Sequence, residues 1–190
     1  ITALRRLINY QWIEMNKEAS TVFLRAEGMK IGFGGIGKGY AAYRAYQVMA
    51  QMGIKSGLIN ASGDLMCWGQ PPQGGQWPIQ IPDPKDRSQS VMQFSIPFGS
   101  IVTSGNYENY MLINGRRYSH IVDPRTGWPI TETKNVSVIC PNPELGDALA
   151  TGLSVLGAEE GLALVNSLKG VECVITNENG EMHLSKGLLK

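Results

Sequence analysis

Five of the eight residues from Gly32 to Gly39 are glycine: Gly32, Gly34, Gly35, Gly37 and Gly39. They follow a short apolar segment, Met29 to Phe33, and precede Tyr40 to Met52, a stretch rich in Ala, Met and Tyr that stops at Gly53. The pattern predicts a strand, a tight glycine turn and a helix over Tyr40 to Met52 closed by a C-terminal glycine. A glycine turn that runs into a helix start presents backbone N–H groups and the positive end of the helix dipole, with no Cβ to hold a ligand away. Three readings compete at this point. Gly32-Phe33-Gly34-Gly35-Ile36-Gly37 matches the dinucleotide-binding spacing G-x-G-x-x-G, and Gly32 to Lys38 matches the beginning of a P-loop. A Rossmann domain needs further βαβ units that are not visible downstream. Gly39 stands where a P-loop carries the Ser or Thr that holds magnesium. A phosphate-receiving turn of another fold and a tight turn with no ligand both stay open.

The rest of the chain narrows the fold class. Tyr10 to Met15, Thr21 to Leu24, Leu58 to Asn60, Leu65 to Trp68, Val91 to Ile96, Ser100 to Thr103, Tyr110 to Ile113, Arg117 to Ile121 and Val136 to Cys140 pattern as strands, with Asn114-Gly115 a hairpin turn. Pro71, Pro72, Pro78, Pro82 and Pro84 make Gly69 to Ser90 loop and edge-strand territory. Glu144 to Leu156 and, after Gly157, Ala158 to Leu168 pattern as two helices, and Val171 to Thr176 with Glu181 to Leu184 as a closing hairpin. Strands outnumber helices without alternating with them, so the class is α+β. A net charge of +1 with no basic run excludes a charge-driven nucleic-acid binder. The longest uncharged stretch, Ser88 to Tyr107, contains Pro97, Gly99 and Gly105 and does not read as a membrane span. Cys67, Cys140 and Cys173 have neither zinc nor redox spacing and read as strand or core residues.

Three other clusters carry chemistry. Asp147 and Thr151, four apart on a helix, stack two hard oxygens on one face, a pair suited to magnesium; alternatively, Asp147 complements the dipole of its own helix. His120 ends a strand just before Asp123-Pro124-Arg125-Thr126-Gly127, where an imidazole serves as a general base or as a structural hydrogen-bonding group. Thr103-Ser104-Gly105-Asn106-Tyr107 clusters hydroxyls in a segment that reads as a phosphate contact or as an ordinary loop. His183 reads as a surface residue of the last hairpin.

Taken in order, Gly34-Gly35-Ile36-Gly37-Lys38-Gly39-Tyr40-Ala41, Asn60-Ala61-Ser62-Gly63-Asp64, Thr103 to Tyr107, Tyr118-Ser119-His120-Ile121-Val122-Asp123-Pro124-Arg125-Thr126-Gly127 and Asp147-Ala148-Leu149-Ala150-Thr151 resemble the ApbE family, the FAD:protein FMN transferases. The resemblance implies an α+β fold of mixed, mainly antiparallel sheets with a few packed helices, similar to the T-fold. It implies that residues 1–190 are the C-terminal major part of one such domain, without the preceding segment that contacts the flavin and adenine ends of FAD. Weak FAD binding and self-association of the chain follow as expectations. The family usually carries Asp then Leu before the paired glycines, where this chain has Gly32 and Phe33.

The chemistry implied by the resemblance is magnesium-dependent transfer of FMN from FAD to a Ser or Thr hydroxyl of an acceptor protein, with release of AMP. Magnesium would be held by Asp147 and Thr151 and by backbone oxygens of Gly37 and Ala150. Gly34, Tyr40 and Ile121 would contact FAD, and His120 would deprotonate the acceptor hydroxyl. The family is typically exported and often lipid-anchored, which implies a periplasmic or other extracytoplasmic, membrane-anchored setting. Two alternatives remain: FAD binding or hydrolysis to FMN and AMP without protein transfer, and a non-catalytic binding module.

Overall fold

The computed structural model describes residues 5–82, 90–105 and 110–189. In chain order it contains β1 (Ile13–Asn16), β2 (Thr21–Leu24), α1 (Gly37–Gln51), β3 (Gly57–Ala61), β4 (Asp64–Trp68), β5 (Trp77–Pro82), β6 (Ser90–Ile96), β7 (Gly99–Gly105), β8 (Tyr110–Ile113), β9 (Arg116–Ser119), β10 (Thr133–Cys140), α2 (Pro143–Ser167), β11 (Glu172–Asn177) and β12 (Met182–Leu184). Six strands form the main sheet in the order β12-β11-β10-β7-β4-β3, each neighbour antiparallel. Three two-stranded hairpins, β1-β2, β5-β6 and β8-β9, stand apart from it. The α+β class and the antiparallel sheets agree with the sequence reading.

The core lies between the middle of the sheet and α2. Val136, Val138 and Cys140 alternate along β10 and point to one face. There they meet Val102 of β7, Cys173 and Ile175 of β11, and Ala150, Leu153 and Val165 of α2. In register, Val138 pairs with Val102 on one side and Cys173 on the other, so the central strand is apolar across three strands. The helix begins where Asn142 caps it, its Oδ1 accepting from the Glu144 and Leu145 N–H groups, with Pro143 at the first helical position. Gly157 is non-helical, with φ 77° and ψ −174°, so α2 is two helical segments joined at a kink, as the two helices expected either side of that residue. Neither segment alone is long enough to cross a bilayer, and Leu153 and Val165 pack on the sheet.

Two expectations are corrected. Met29 to Phe33 forms no regular element: it is the extended approach to the glycine turn and pairs with no strand among the described residues. The strand expected from Tyr10 to Met15 is cut short: Tyr10–Trp12 is a 3-10 turn leading into β1, capped by Asn9. Trp77–Pro82 is a strand within the segment read as loop and edge strand. Among the described residues it pairs only with β6, so a proline lacking an N–H breaks no ladder on its other side.

Candidate functional site

The glycine turn and α2 meet at Gly39. The Phe33 carbonyl accepts from the Ile36 and Gly37 N–H groups, closing the turn over Gly34 and Gly35, and α1 starts with no side-chain cap of its own. The cap comes from the other helix: Gly39 N–H donates to Asp147 Oδ2 at 3.0 Å. A Cβ at Gly39 would lie 2.1 Å from the Pro143 carbonyl oxygen and 2.8 Å from Asp147 Cβ, so only glycine lets the helices approach this closely. Asp147 therefore complements a helix dipole, that of α1 rather than its own.

Lys38, one residue earlier, turns the crossing into a charge cluster. Its Nζ lies 3.1 Å from Asp147 Oδ1 and 3.0 Å from Asp64 Oδ2. Asp64 enters β4 from a two-residue turn in which Ser62 and Gly63 both have positive φ. Asp64 and Asp147 are buried, at 0% and 2% exposure, while the Lys38 side chain keeps 40%. Neither oxygen of Asp64 has a hydrogen-bond partner among the described residues; Oδ2 meets Lys38 as an ion pair only, and Oδ1 meets no cation. Burial pushes the Asp64 carboxyl up to about 6, against the lowering effect of Lys38 and reinforced by Asp147. Burial pulls the Lys38 ammonium down, but Asp64 and Asp147 outweigh it and hold it above the ordinary lysine value.

Beside this cluster, Gly34, Gly35, His120, Ile121, Val122, Thr151, Gly152 and Val155 line an open cleft of about 370 Å³. The fold thus brings His120, Ile121 and Gly34 to one place with Thr151, one helical turn beyond Asp147. The backbone at Gly35 runs against Thr151: a Cβ there would sit 3.2 Å from Oγ1. Gly37 opens α1, and Tyr40 stands on its first turn, half exposed. Ile121 is buried, its N–H donating to Ser119 Oγ and its carbonyl accepting from Ile130 N–H, so it offers the cleft a wall rather than free backbone groups. Ala150 is fully buried and its carbonyl accepts from Ser154 Oγ at 2.8 Å. His120 is exposed at the end of β9.

Other sequence candidates lie elsewhere. Thr103 Oγ1 pairs with Ser137 Oγ at 2.9 Å across β7 and β10, a cross-strand contact within the sheet; Asn106 and Tyr107 fall outside the described residues. His183 is partly exposed in the last hairpin and lines a separate, open pocket with Glu159, Asn177 and Glu178. Asp123 and Arg125 close their turn on each other, and the Arg125 guanidinium beside Asp123 holds that carboxyl below its usual range.

Sequence reasoning missed the Lys38–Asp64 contact. One signal was available: a lysine in the first turn of a helix faces the positive dipole end, an unfavourable place for a cation unless carboxylates surround it. The described residues contain no group of three His, Cys, Asp or Glu side chains placed to hold a metal. The oxygens of Asp147 and Thr151, with the unpartnered Asp64 Oδ1 nearby, are hard donors and leave positions for water and phosphate, which fits Mg2+ and not a softer metal.

Comparison with known proteins identifies the fold's lineage. The ApbE family model matches residues 1–175. The chain belongs to the ApbE family. It is 32% identical over 187 residues to an FAD:protein FMN transferase of Klebsiella pneumoniae, covering 97% of this chain and 57% of that protein. The FAD:protein FMN transferase of Treponema pallidum is 32% identical over 179 residues, covering 89% of this chain and 49% of that protein. Among solved structures, the ApbE protein of Thermotoga maritima superposes with a TM-score of 0.90 at 28% identity, over 99% of this chain and 61% of that one. The apo flavinyl transferase ApbE of Pseudomonas stutzeri gives 0.83 at 29%, over 98% and 58%. The chain spans about half the length of the curated relatives it matches.

Proposed function

We propose that this chain carries the catalytic part of an FAD:protein FMN transferase, moving FMN from FAD to a Ser or Thr hydroxyl of an acceptor flavoprotein and releasing AMP. The observation that supports it most strongly is the convergence of the Gly34–Gly35 turn, His120 and Thr151 on one cleft, one helical turn from the buried Asp147. The relatives of Klebsiella pneumoniae and Treponema pallidum are FAD:protein FMN transferases, a name that gives the same donor and the same transferred group.

In this reading the glycine turn receives the diphosphate of FAD. Apart from its chain neighbours, no heavy atom of the described residues lies within 4 Å of a Cβ built on Gly34, so the backbone there is open to a ligand. Tyr40 and Ile121 supply the walls that orient it. Asp147 and Thr151 would hold Mg2+ with the help of the Gly37 and Ala150 carbonyls. When bound, the ion neutralises charge that builds on the phosphates as their bridge breaks. His120 accepts the proton of the acceptor hydroxyl, whose oxygen bonds to the flavin-side phosphorus; the bridging oxygen leaves with AMP. The test is incubation of the chain with FAD, Mg2+ and an acceptor flavoprotein. A fluorescent acceptor band in a denaturing gel, with one AMP per flavin transferred, supports the reading, and its absence with a competent acceptor opposes it.

Hydrolysis of FAD to FMN and AMP is a second reading, favoured by Gly32. That position lacks the carboxylate usual in the family, although there is open space for a side chain beside Gly32. The same assay distinguishes it: FMN and AMP accumulate while the acceptor stays dark. An extracytoplasmic setting is part of the proposal. It is compatible with the three cysteines, all buried and unpaired, whose thiols burial shifts upward, away from the reactive thiolate.

A further inference from the structure

Lys38 sits in front of the same carboxylate that the proposed function assigns to a divalent cation. Its Nζ lies 3.1 Å from Asp147 Oδ1, whereas Oδ2 of that residue is committed to Gly39 N–H. Oδ1 is therefore the oxygen of Asp147 left to a cation, and an ammonium already faces it. Asp64 is the other partner. It is fully buried, meets the ammonium as an ion pair through Oδ2 at 3.0 Å, and has no hydrogen-bond partner at either oxygen among the described residues, so Oδ1 is spare. A buried carboxylate with a spare oxygen is able to take a larger share of an ammonium that gives up another contact. The Lys38 side chain, 40% exposed, has solvent on one side and room to shift.

We infer that Lys38 is a displaceable charge plug: its ammonium compensates Asp147 in the metal-free protein, and cation binding moves it onto Asp64. The inference rests on Asp147 being a cation ligand, as proposed above. Two buried carboxylates and one ammonium leave one negative charge uncompensated. A divalent ion at Asp147 with the ammonium retained by Asp64 gives the cluster a net charge of plus one, which a bound diphosphate would offset. Lys38 is thus a positioning residue that sets cation affinity, and Asp64 is the residue that receives it.

The test measures Mn2+ binding to the chain without FAD, followed by loss of the free-ion electron paramagnetic resonance signal. Lys38→Met removes the competitor and is expected to tighten binding about tenfold, in line with the size of effects seen when groups behind a ligand are changed. Asp64→Asn leaves Lys38 with Asp147 alone and is expected to weaken binding by a similar factor. The decisive variant is the double Lys38→Met/Asp64→Asn, which preserves the charge balance and carries the test if Lys38→Met alone fails to fold. Binding tighter than in the unaltered chain supports the plug. Equal or weaker binding by the double variant overturns it, as does undiminished binding by Asp64→Asn. If neither the unaltered chain nor any variant binds Mn2+, the assignment of Asp147 as a cation ligand fails as well.

Discussion

Two carboxylate–cation clusters of the molecule behave oppositely. At the helix crossing, Asp64 and Asp147 are buried around Lys38. At the turn after His120, Arg125 lies half exposed and forks onto Asp123. Burial raises the Asp64 carboxyl, whereas the guanidinium lowers that of Asp123. The chemical pairing is the same in kind, so the difference comes from solvent. Where water is excluded, a carboxylate remains charged only with strong compensation, and its electrostatics become available to a ligand. Where water has access, the pair closes its turn and Arg125 ties that turn to α2 through the Val155 carbonyl and Glu160, contacts worth little individually.

The largest expected effect breaks the buried cluster. Asp147→Ala should abolish flavin transfer in the gel assay. It should also cost about 1–3 kcal/mol of stability, because Gly39 N–H loses its acceptor inside the protein. Unchanged Mg2+-dependent transfer would show that the buried cluster is structural only. Next, His120→Ala should slow transfer by about a hundredfold to ten-thousandfold, the usual worth of a positioned base. Loss of FAD affinity with unimpaired turnover of bound FAD would make His120 a ligand contact instead.

Gly39→Ala tests whether the helix crossing itself maintains the difference between the clusters. The added methyl meets backbone atoms of Pro143, and overpacking of this kind costs on the order of 1–3 kcal/mol or more. Chemical denaturation should register that loss, and a stability equal to that of the unaltered chain would mean that α1 and α2 separate freely.

The smallest effects appear in pH profiles and have opposite signs. Asp64 binds its proton more tightly in the folded chain, so its stabilising contribution is full below its unfolded pKa of roughly 4 and is lost as pH rises toward about 6. Asp123, held low, contributes above roughly pH 4 and loses that contribution as pH falls through its lowered value. Melting temperatures of Asp64→Asn and Asp123→Asn across this range should therefore diverge from the unaltered chain in opposite directions. Parallel curves would erase the contrast between buried and exposed clusters.

What the sequence disclosed and what it hid follow the same division. The glycine turn, the helix after it, the Asp147–Thr151 spacing and the break at Gly157 are local, each readable within one or two turns of chain. His120 and its turn were readable as a motif. The Lys38–Asp64 contact joins a helix start to a strand that begins 26 residues later, and periodicity does not report which hairpin packs against which helix end. The Met29 to Phe33 expectation failed for a related reason, since an apolar extended segment becomes a strand only when a neighbour's backbone completes the ladder. In Trp77–Pro82 the prolines marked loop and edge strand, and a two-stranded hairpin tolerates them on the side that pairs with no strand among the described residues.

The three buried thiols have a practical consequence for following the unfolding of this chain. Cys67, Cys140 and Cys173 lie on β4, β10 and β11, spread across the main sheet, and none is accessible in the native state. A thiol reagent added to the native protein therefore reacts only as fast as the sheet opens. Equal labelling rates at the three positions would describe one cooperative unit, whereas earlier labelling of Cys67 would show the β3-β4 side, which carries Asp64, detaching before the strands packed on α2.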